Sequence, residues 1–514
     1  MKTFTDSPII SKLFNVMLIL VMAGASAGLT YILLTRLGNT NFLFAMVGLI
    51  VLMLLFKISV RDLSVALMLW LLFATGLKYA AIVRMPGLPD FSFDRLLLVW
   101  IVLMFLLQLT MKRVKLSPPF TLDALVIIHT IYILLLITFT APRYFNAWIV
   151  SSLSPMFGYL YGKHVINEEH HIRNLLFFLL FVSVFFYYLA IVEHFGWNSL
   201  VWPKEILDSS IGLWQPGRSR GPVLHPPLFG QLQAMALLVY FYFLARKVSS
   251  GVRFFLSISF GLSMVGLLFA YTRGPWFAAA AAFVVLGILR PNYRKILMVL
   301  AVLGALFGTL GLFELANSDF LQERINASGT FEDRLGFIIT SIRIIADHPV
   351  FGVGYFNAIN YVFIYSQGAY VPLYGYIKKA AGEDIVPHDI YIGRSADEGL
   401  FSTGLLLIMG LIVFRAFVVK WRMNPQGKWF NRDSMAILGA IMVCYLVGGM
   451  VIDYRYFDLV NVLMYLMMGI IYGYKVEPQR SLHDQQAIWA KESSGPGANK
   501  HRSGLLTGKN DSAG

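Results

Sequence analysis

One cysteine in 514 residues excludes a disulfide framework and any cysteine-built metal centre. Cys444 lies inside an apolar run and reads as a packing residue. Charge is scarce as well. Asp, Glu, Lys and Arg make up 14% of the chain against 57% hydrophobic residues, and the mean hydropathy is +0.67. A soluble protein of this size could not cover so much apolar surface, so lipid is part of its solvent. The chain has no Asp-x-Asp pair, no His-x-x-x-His and no phosphate loop of the GxxxxGK type. Transfer chemistry here would therefore proceed without a metal or other cofactor, with arginines neutralising charge. The net charge of +14 comes with no basic patch interleaved with aromatics, so nucleic acid is not an expected partner. In a membrane chain, positive charge encodes orientation instead.

A helix needs about 20 apolar residues to cross a bilayer. That length predicts an all-α, polytopic chain with about fourteen spans, near 14–35, 41–56, 63–83, 96–111, 120–141, 145–162, 174–195, 223–245, 254–271, 275–289, 296–313, 399–419, 433–452 and 456–474. The first reads as a retained span rather than a cleaved leader. Alternate loops carry nineteen Lys and Arg residues before the C-terminal tail, whereas the opposite short loops carry nine. This bias puts both termini in the cytoplasm. Residues 1–474 form the transmembrane domain. The polar, glycine-rich stretch 475–514 reads as a disordered cytoplasmic tail.

The same phase places the longest connection, 314–396, on the outer face, and loops of that length usually carry function. Within it Leu335, Ile338, Ile339, Ile342 and Ile345 fall at helical spacing, with Glu332, Asp333, Arg334 and Arg343 mostly opposite. The pattern predicts an amphipathic helix on the membrane surface, stopped by Pro349, Gly352 and Gly354. An ordinary surface helix is the plainer alternative.

Four stretches of the outer face hold the candidate chemistry. "PGRSRGPVLHPP" carries Arg218, Arg220 and His225, and "YTRGPWF" puts Arg273 in a tight turn between two spans. "DHPVFGVGYFN" and "PHDIYIGRSADEGL" lie in the long loop. An arginine near hydrocarbon snorkels to the headgroups or binds an anion, and its donor fork matches phosphate oxygens. Two or three converging arginines would suit a diphosphate. A neutral His388 could take a proton from a hydroxyl near neutral pH, with Asp389 orienting its ring. A lone outer histidine is more often structural. Asp397 and Glu398 could equally be N-terminal acids favoured by the dipole of the next span.

Taken together and in order, these four stretches resemble the O-antigen ligase and polymerase superfamily over about residues 215–415. Arg218 with Gly221 and the following prolines is similar to the family's Arg-x-x-Gly segment, and "TRGPWF" to its Thr/Ser-Arg-Gly turn. "RLGFIITSIRIIADHPVFGVGYFN" resembles the loop segment that ends in His-Pro, a hydrophobic pair and Gly-x-Gly. "HDIYIGRSADEGLFSTG" resembles the His-Asn-x-Tyr stretch with a downstream Glu-Gly. Asp389 departs from that pattern, because the family usually has asparagine there.

The resemblance implies a membrane glycosyltransferase of surface polysaccharide assembly in the bacterial cytoplasmic membrane. Its donor would be a glycan on a polyprenyl diphosphate, and its acceptor a second lipid-linked glycan or a lipid core. A flippase and a chain-length regulator would be neighbouring partners. Arg218 and Arg273 would hold the donor diphosphate, and His388 would activate the acceptor hydroxyl. Arg220, His225, Asp389, Tyr391 and Glu398 are the adjacent candidates for binding substrate. Fourteen spans, against the twelve expected of a typical ligase, tilt the expectation toward a polymerase. Two other readings are a secondary transporter for a small solute and a non-catalytic scaffold. The charges in or near spans, Lys78, Glu193 and Arg415, lie toward span ends, and the halves show no evident repeat, as a transporter would require.

Overall fold

The computed structural model describes residues 53–76, 82–83, 91–299, 329–367, 370–371, 375–376, 389–455 and 457–476. The expected span at 14–35, most of those at 41–56 and 296–313, and nearly all of the tail lie outside them. The described chain is helical apart from turns and two antiparallel ladders of two residues per strand. Six of its helices are long and apolar enough to cross a membrane. The chain divides into two units, Met1–Leu116 and Ser117–Gly514.

In the first unit, α1 (Leu63–Gly76) and α2 (Phe93–Thr110) pack together. Their polar groups pair internally, as hydrocarbon surroundings demand. Trp70 Nε1 donates to Asp94 O at 3.1 Å, and Gln108 Nε2 to Ser59 O at 2.7 Å.

The second unit contains α3 (Thr121–Thr140), α4 (Ser154–His164), α5 (Glu169–His194), α6 (Pro226–Leu244), α7 (Ser250–Phe269) and α8 (Arg273–Leu289). It continues with α9 (Gly329–Asp347), α10 (Ala358–Ser366), α11 (Ile390–Arg422), α12 (Arg432–Gly449) and α13 (Asp458–Gly473). The apolar runs 254–271 and 275–289 are thus two helices, joined by a three-residue turn.

α6 is hydrophobic nearly all round and is buried on all sides, which makes it the centre of the unit. Its two glutamines find partners. Gln231 Nε2 donates to Cys444 O at 3.0 Å and Gln233 Nε2 to Ser263 O at 3.2 Å. α4 and α13 approach closely because each carries a Gly-x-x-x-Gly stripe, Gly158 with Gly162 and Gly469 with Gly473. A Cβ on Gly162 would run into the backbone of Leu466, and one on Gly469 into the backbone of Tyr159.

α11 begins nine residues before the expected span at 399–419. Asp389 is its N-cap, accepting from the amides of Tyr391 at 2.7 Å and Ile392 at 3.0 Å. Asp397 and Glu398 end the short helical segment that Asp389 caps and directly precede the helix that follows. They sit immediately before a break at Gly399, whose φ of 80° and ψ of 171° no helix contains. In a continuous helix the amides of Leu400 and Phe401 would bond to the carbonyls of Ala396 and Asp397. Here the segment from Pro349 to Gly354 takes over both sides. Leu400 N donates to Pro349 O at 2.8 Å and Phe401 N to Val350 O at 3.3 Å. Val353 N donates to Ala396 O at 3.0 Å and Gly354 N to Asp397 O at 2.9 Å. All four groups orphaned by the break are satisfied, as buried backbone requires.

α9 covers the stretch read as an amphipathic helix, and one of its faces packs against protein. Gly336, Phe337, Thr340, Ser341 and Ile344 are buried, whereas Ile342 is exposed. Phe337 packs on Val362 of α10, and Ile344 on Ala358 and on Ala396 of α11. Small and hydroxyl-bearing residues let α9 sit close to its protein neighbours, while Ile338, Ile339 and Ile345 are partly buried at the edges of that contact.

Candidate active site

The break in α11 coincides with a cluster of buried charges. Arg455, in the turn between α12 and α13, is fully buried. Its Nη1 donates to Gly393 O at 3.1 Å and pairs with Asp397. Its Nη2 reaches Asp453 Oδ2 at 2.6 Å, and its Nε lies 3.0 Å from both oxygens of that carboxylate. Asp397 also accepts the amide of Ala358 at 2.6 Å, on the first residue of α10. One carboxylate thus joins α11, the α12–α13 turn and the long loop. Buried charges persist only when paired in this way.

A second chain of polar groups lies one turn away. Arg394 Nη1 is 3.4 Å from Glu398 Oε2, which also accepts from Ser402 Oγ at 2.6 Å. Ser402 Oγ is 3.0 Å from His129 Nε2 of α3. The serine has one proton and spends it on the carboxylate, so it accepts from the histidine, which fixes the imidazole proton on Nε2. Tyr132 donates to the carbonyl of Glu398 at 2.5 Å. Arg394 Nε and Glu398 Oε1 are buried and have no hydrogen-bond partner among the described residues.

Other parts of the candidate chemistry gather at the same end of α11. Arg218 Nη1 donates to Gln215 Oε1 at 2.5 Å, and the guanidinium is half-buried. Ser219 N donates to Phe269 O at 3.0 Å, which ties the Arg218 segment to the turn that carries Arg273. Arg273 is the first residue of α8 and is exposed, with no charged side chain paired to it among the described residues. The next residue, Gly274, packs against Val451 and Ile452, four and three residues before Arg455.

His225 caps α6, its Nδ1 accepting from Leu228 N at 3.3 Å, and its ring packs 4.7 Å from that of Phe457. The Tyr391 hydroxyl donates to Leu446 O at 2.7 Å. Burial pushes the Asp389 carboxyl above its ordinary pKa, against the pull of its two backbone amide donors. His388 lies outside the described residues.

Arg220 is occupied differently from Arg218. Its Nε and Nη2 donate to Ile206 O at 3.0 and 2.8 Å, its Nη1 to Ile211 O at 2.6 Å, and its Nη2 also to Asp208 O. The guanidinium lies 4.6 Å from the Trp214 ring. Glu193 accepts the backbone amides of Arg220 and Gly221 at 3.0–3.1 Å. These contacts make Arg220 a brace for the loop before α6.

Sequence reasoning passed over Arg394, Arg455, Asp453, His129 and Ser402. Arg455 and Asp453 were visible as the pair in "VIDYRYFD", and His129 as a lone imidazole in "LVIIHTIY". Ionisable residues inside or bordering apolar runs are the signal that marks them.

Residues 258–401 match a family model described as O-antigen ligase. The matched stretch runs from α7 through α8, α9 and α10 to just past the break in α11. No curated protein matches the chain.

Proposed function

We propose, from the match of residues 258–401 to an O-antigen ligase family model and the apolar helices long enough to cross a membrane, that this chain is a membrane enzyme of the ligase/polymerase class that joins glycans released from a polyprenyl diphosphate at the outer face of the bacterial cytoplasmic membrane. Arg218 and Arg273 hold the donor's diphosphate, with Arg220 bracing the loop from which Arg218 projects. His388 takes the proton from the acceptor hydroxyl as that oxygen bonds to the sugar's anomeric carbon, while the bond from that carbon to the diphosphate breaks. The diphosphate leaves with the lipid, and the arginines neutralise the charge that develops on it. No metal is required for that step. A lipid-linked repeat as the acceptor, hence a polymerase, is favoured over a lipid core.

The observation that carries this reading is the bond from Ser219 N to Phe269 O, which joins the two arginine-bearing segments. It is supported by the packing of Gly274 against the turn that leads to Arg455.

The test uses purified protein in lipid with a polyprenyl-diphosphate-linked repeat unit, in the presence of a chelator. A ladder of longer lipid-linked glycans, absent with His388→Ala, is the expected result. Arg218→Ala and Arg273→Ala should each slow transfer by about 10²–10³, the usual effect of removing one oxyanion-stabilising donor. Product formed only after a lipid core is added would make the protein a ligase. Product formed at the wild-type rate by both arginine variants would refute the assignment of the site.

A further inference from the structure

Between α9 and α10 the chain runs "PVFGVGYF", residues 349–356, with no charged side chain. One part of this stretch lies at the end of α3. Gly354 packs against Thr140, and Tyr355 N donates to Thr140 Oγ1 at 3.3 Å. The other part lies deeper. Val350 O accepts from Phe401 N at 3.3 Å, and the Phe401 ring is 5.0 Å from that of Tyr132. Tyr132 is eight residues before Thr140, roughly 12 Å along a helix. From Gly354 back to Val350 the chain therefore descends along α3, from its end toward its middle.

The apolar surface of α3 reaches beyond that depth. Ile128, Ile131, Leu135 and Phe139 are exposed at helical spacing, and Phe139 is 81% exposed. On a helix long and apolar enough to cross a membrane, such a stripe is the side that meets lipid, so hydrocarbon extends at least to Phe139. Val350 lies below that level, and both it and Phe351 are exposed.

We propose that Pro349–Gly352 is a re-entrant tip that seats Val350 and Phe351 among the acyl chains of the bilayer, in the leaflet at the Thr140 end of α3. In the orientation read from the sequence, that leaflet is the outer one. The inference rests on the chain's crossing a membrane and not on the reaction it carries out.

Three observations select acyl chains as the occupant of this surface. The backbone is fitted for hydrocarbon, which leaves no unpaired polar group satisfied. Pro349 has no amide hydrogen, the carbonyls of Pro349 and Val350 accept from Leu400 N and Phe401 N, and Gly352 N donates to His348 O at 3.1 Å. The surface is also continuous with the lipid-facing side of α11. Leu400 and Phe401, bonded to the tip, are exposed, and Leu407, Leu411 and Phe414 carry the exposed apolar surface onward. Finally, polarity changes sharply at the tip's edge. Asp347 and His348 are exposed immediately before Pro349, and Arg343 on α9 donates to Tyr365 O and Gln367 O at 3.0 Å. An apolar point beneath a polar collar is the profile of a segment set across the headgroup boundary.

A nitroxide on Phe351→Cys, in the full-length protein in nanodiscs, measures the depth of the tip. The native Cys444 is fully buried and is not a labelling site. Val350→Cys is a second variant should the first fail to fold. Labels on Leu407→Cys and His348→Cys are the references for lipid and for water. Oxygen concentrates in the bilayer, whereas a neutral nickel chelate stays in water. The oxygen-to-nickel collision ratio at Phe351 should approach that at Leu407 and exceed that at His348 severalfold. A ratio equal to that at His348 overturns the proposal, because the tip then lies in water. Exclusion of both reagents also overturns it, because protein, a second copy included, then covers the tip.

Phe351→Asp gives an independent readout. At a side chain exposed to water this substitution is nearly silent, but in hydrocarbon a carboxylate is costly and the tip should withdraw. Hydrogen exchange at Val353 and Gly354, whose amides bond to Ala396 O and Asp397 O, should then rise by about tenfold or more. Wild-type exchange at both amides overturns the proposal. Failure on either count leaves the proposed function standing.

Discussion

The contact between Asp397 and the amide of Ala358 can be removed with little else disturbed. In Asp397→Ala, Arg455 keeps Asp453, which engages its Nε and Nη2, so no buried cation is stranded. The bonds at the break also survive, because Gly354 uses the backbone carbonyl of Asp397, not its side chain. What disappears is the Nη1 arm of Arg455's ion pairing, with Asp397, and a buried hydrogen bond from Ala358 N to that carboxylate, 2.6 Å long. Hydrogen bonds to charged groups contribute about 1.5–3 kcal/mol. If α10 opens locally, the loss raises the exchange rate of the Ala358 amide by about 10- to 150-fold, at 1.4 kcal/mol for each factor of ten.

Hydrogen exchange with fragment-level mass spectrometry on the protein in nanodiscs reads this directly. Asp397→Asn should give a smaller rise, because the amide oxygen still accepts from Ala358. Arg455→Met should behave differently from either. It leaves Asp397 and Asp453 buried without their cation and should destabilise the whole unit by about 3–5 kcal/mol, so exchange rises throughout α11–α13. Combining Arg455→Met with Asp397→Asn should recover part of that loss, a coupling that independent sites do not show. Wild-type exchange at Ala358 in Asp397→Ala would refute the assignment of this carboxylate as the anchor of α10.

Arg220→Lys should fail nearly as badly as Arg220→Ala, since one ammonium cannot serve the carbonyls of Ile206, Asp208 and Ile211 together; the yield of monodisperse protein measures this. Gly399→Ala should not accumulate as folded protein, because φ is 80° there and a Cβ would overlap Val350 O. Asp389→Asn should keep both cap bonds, since asparagine caps as well as aspartate. The raised folded pKa of Asp389 means the folded state holds its proton more tightly, so this group costs stability as pH climbs from the ordinary carboxylate pKa through the raised one. Melting curves across that range should therefore fall with pH more steeply in wild type than in Asp389→Asn.

The sequence made the helices legible because their apolar runs are long, and it picked out the segments of Arg218, Arg273 and Asp389 because charged residues stand out against those runs. It began the span at the break and passed over the short helical segment from Ile390 that precedes it, for a physical reason. Arg394, Asp397 and Glu398 look like residues outside a membrane helix, and their charges are tolerated only through pairing with residues distant in sequence or on the next turn. Arg455 is 58 residues from Asp397, and Ala358 is 39 residues from it. Hydropathy averages over neighbours in sequence and carries no information about such partners. In α9 the face against α10 and α11 carries Gly336, Thr340 and Ser341, small residues that apolar periodicity passes over.

The glycines of "VFGVG" and "ADEGL" have one explanation in common. Gly352 packs on the backbone of Ala396 and Asp397, and Gly399 on the backbone of Val350, so each motif provides room for the other. Docking is needed because the break leaves four backbone groups that lipid cannot satisfy. A helix lacking Gly399 would need no such partner, so the break is what binds the long loop to the bundle. Asp389, one peptide bond from His388, caps the same short helical segment that the break and Arg455 hold from beneath. Loosening the cluster should therefore reach the chemistry without any contact with substrate. Asp397→Ala should lower kcat for glycan transfer while leaving the retention of undecaprenyl diphosphate as in wild type. Equal loss of retention and turnover would mean that the cluster supports donor binding and not the placement of the reacting groups.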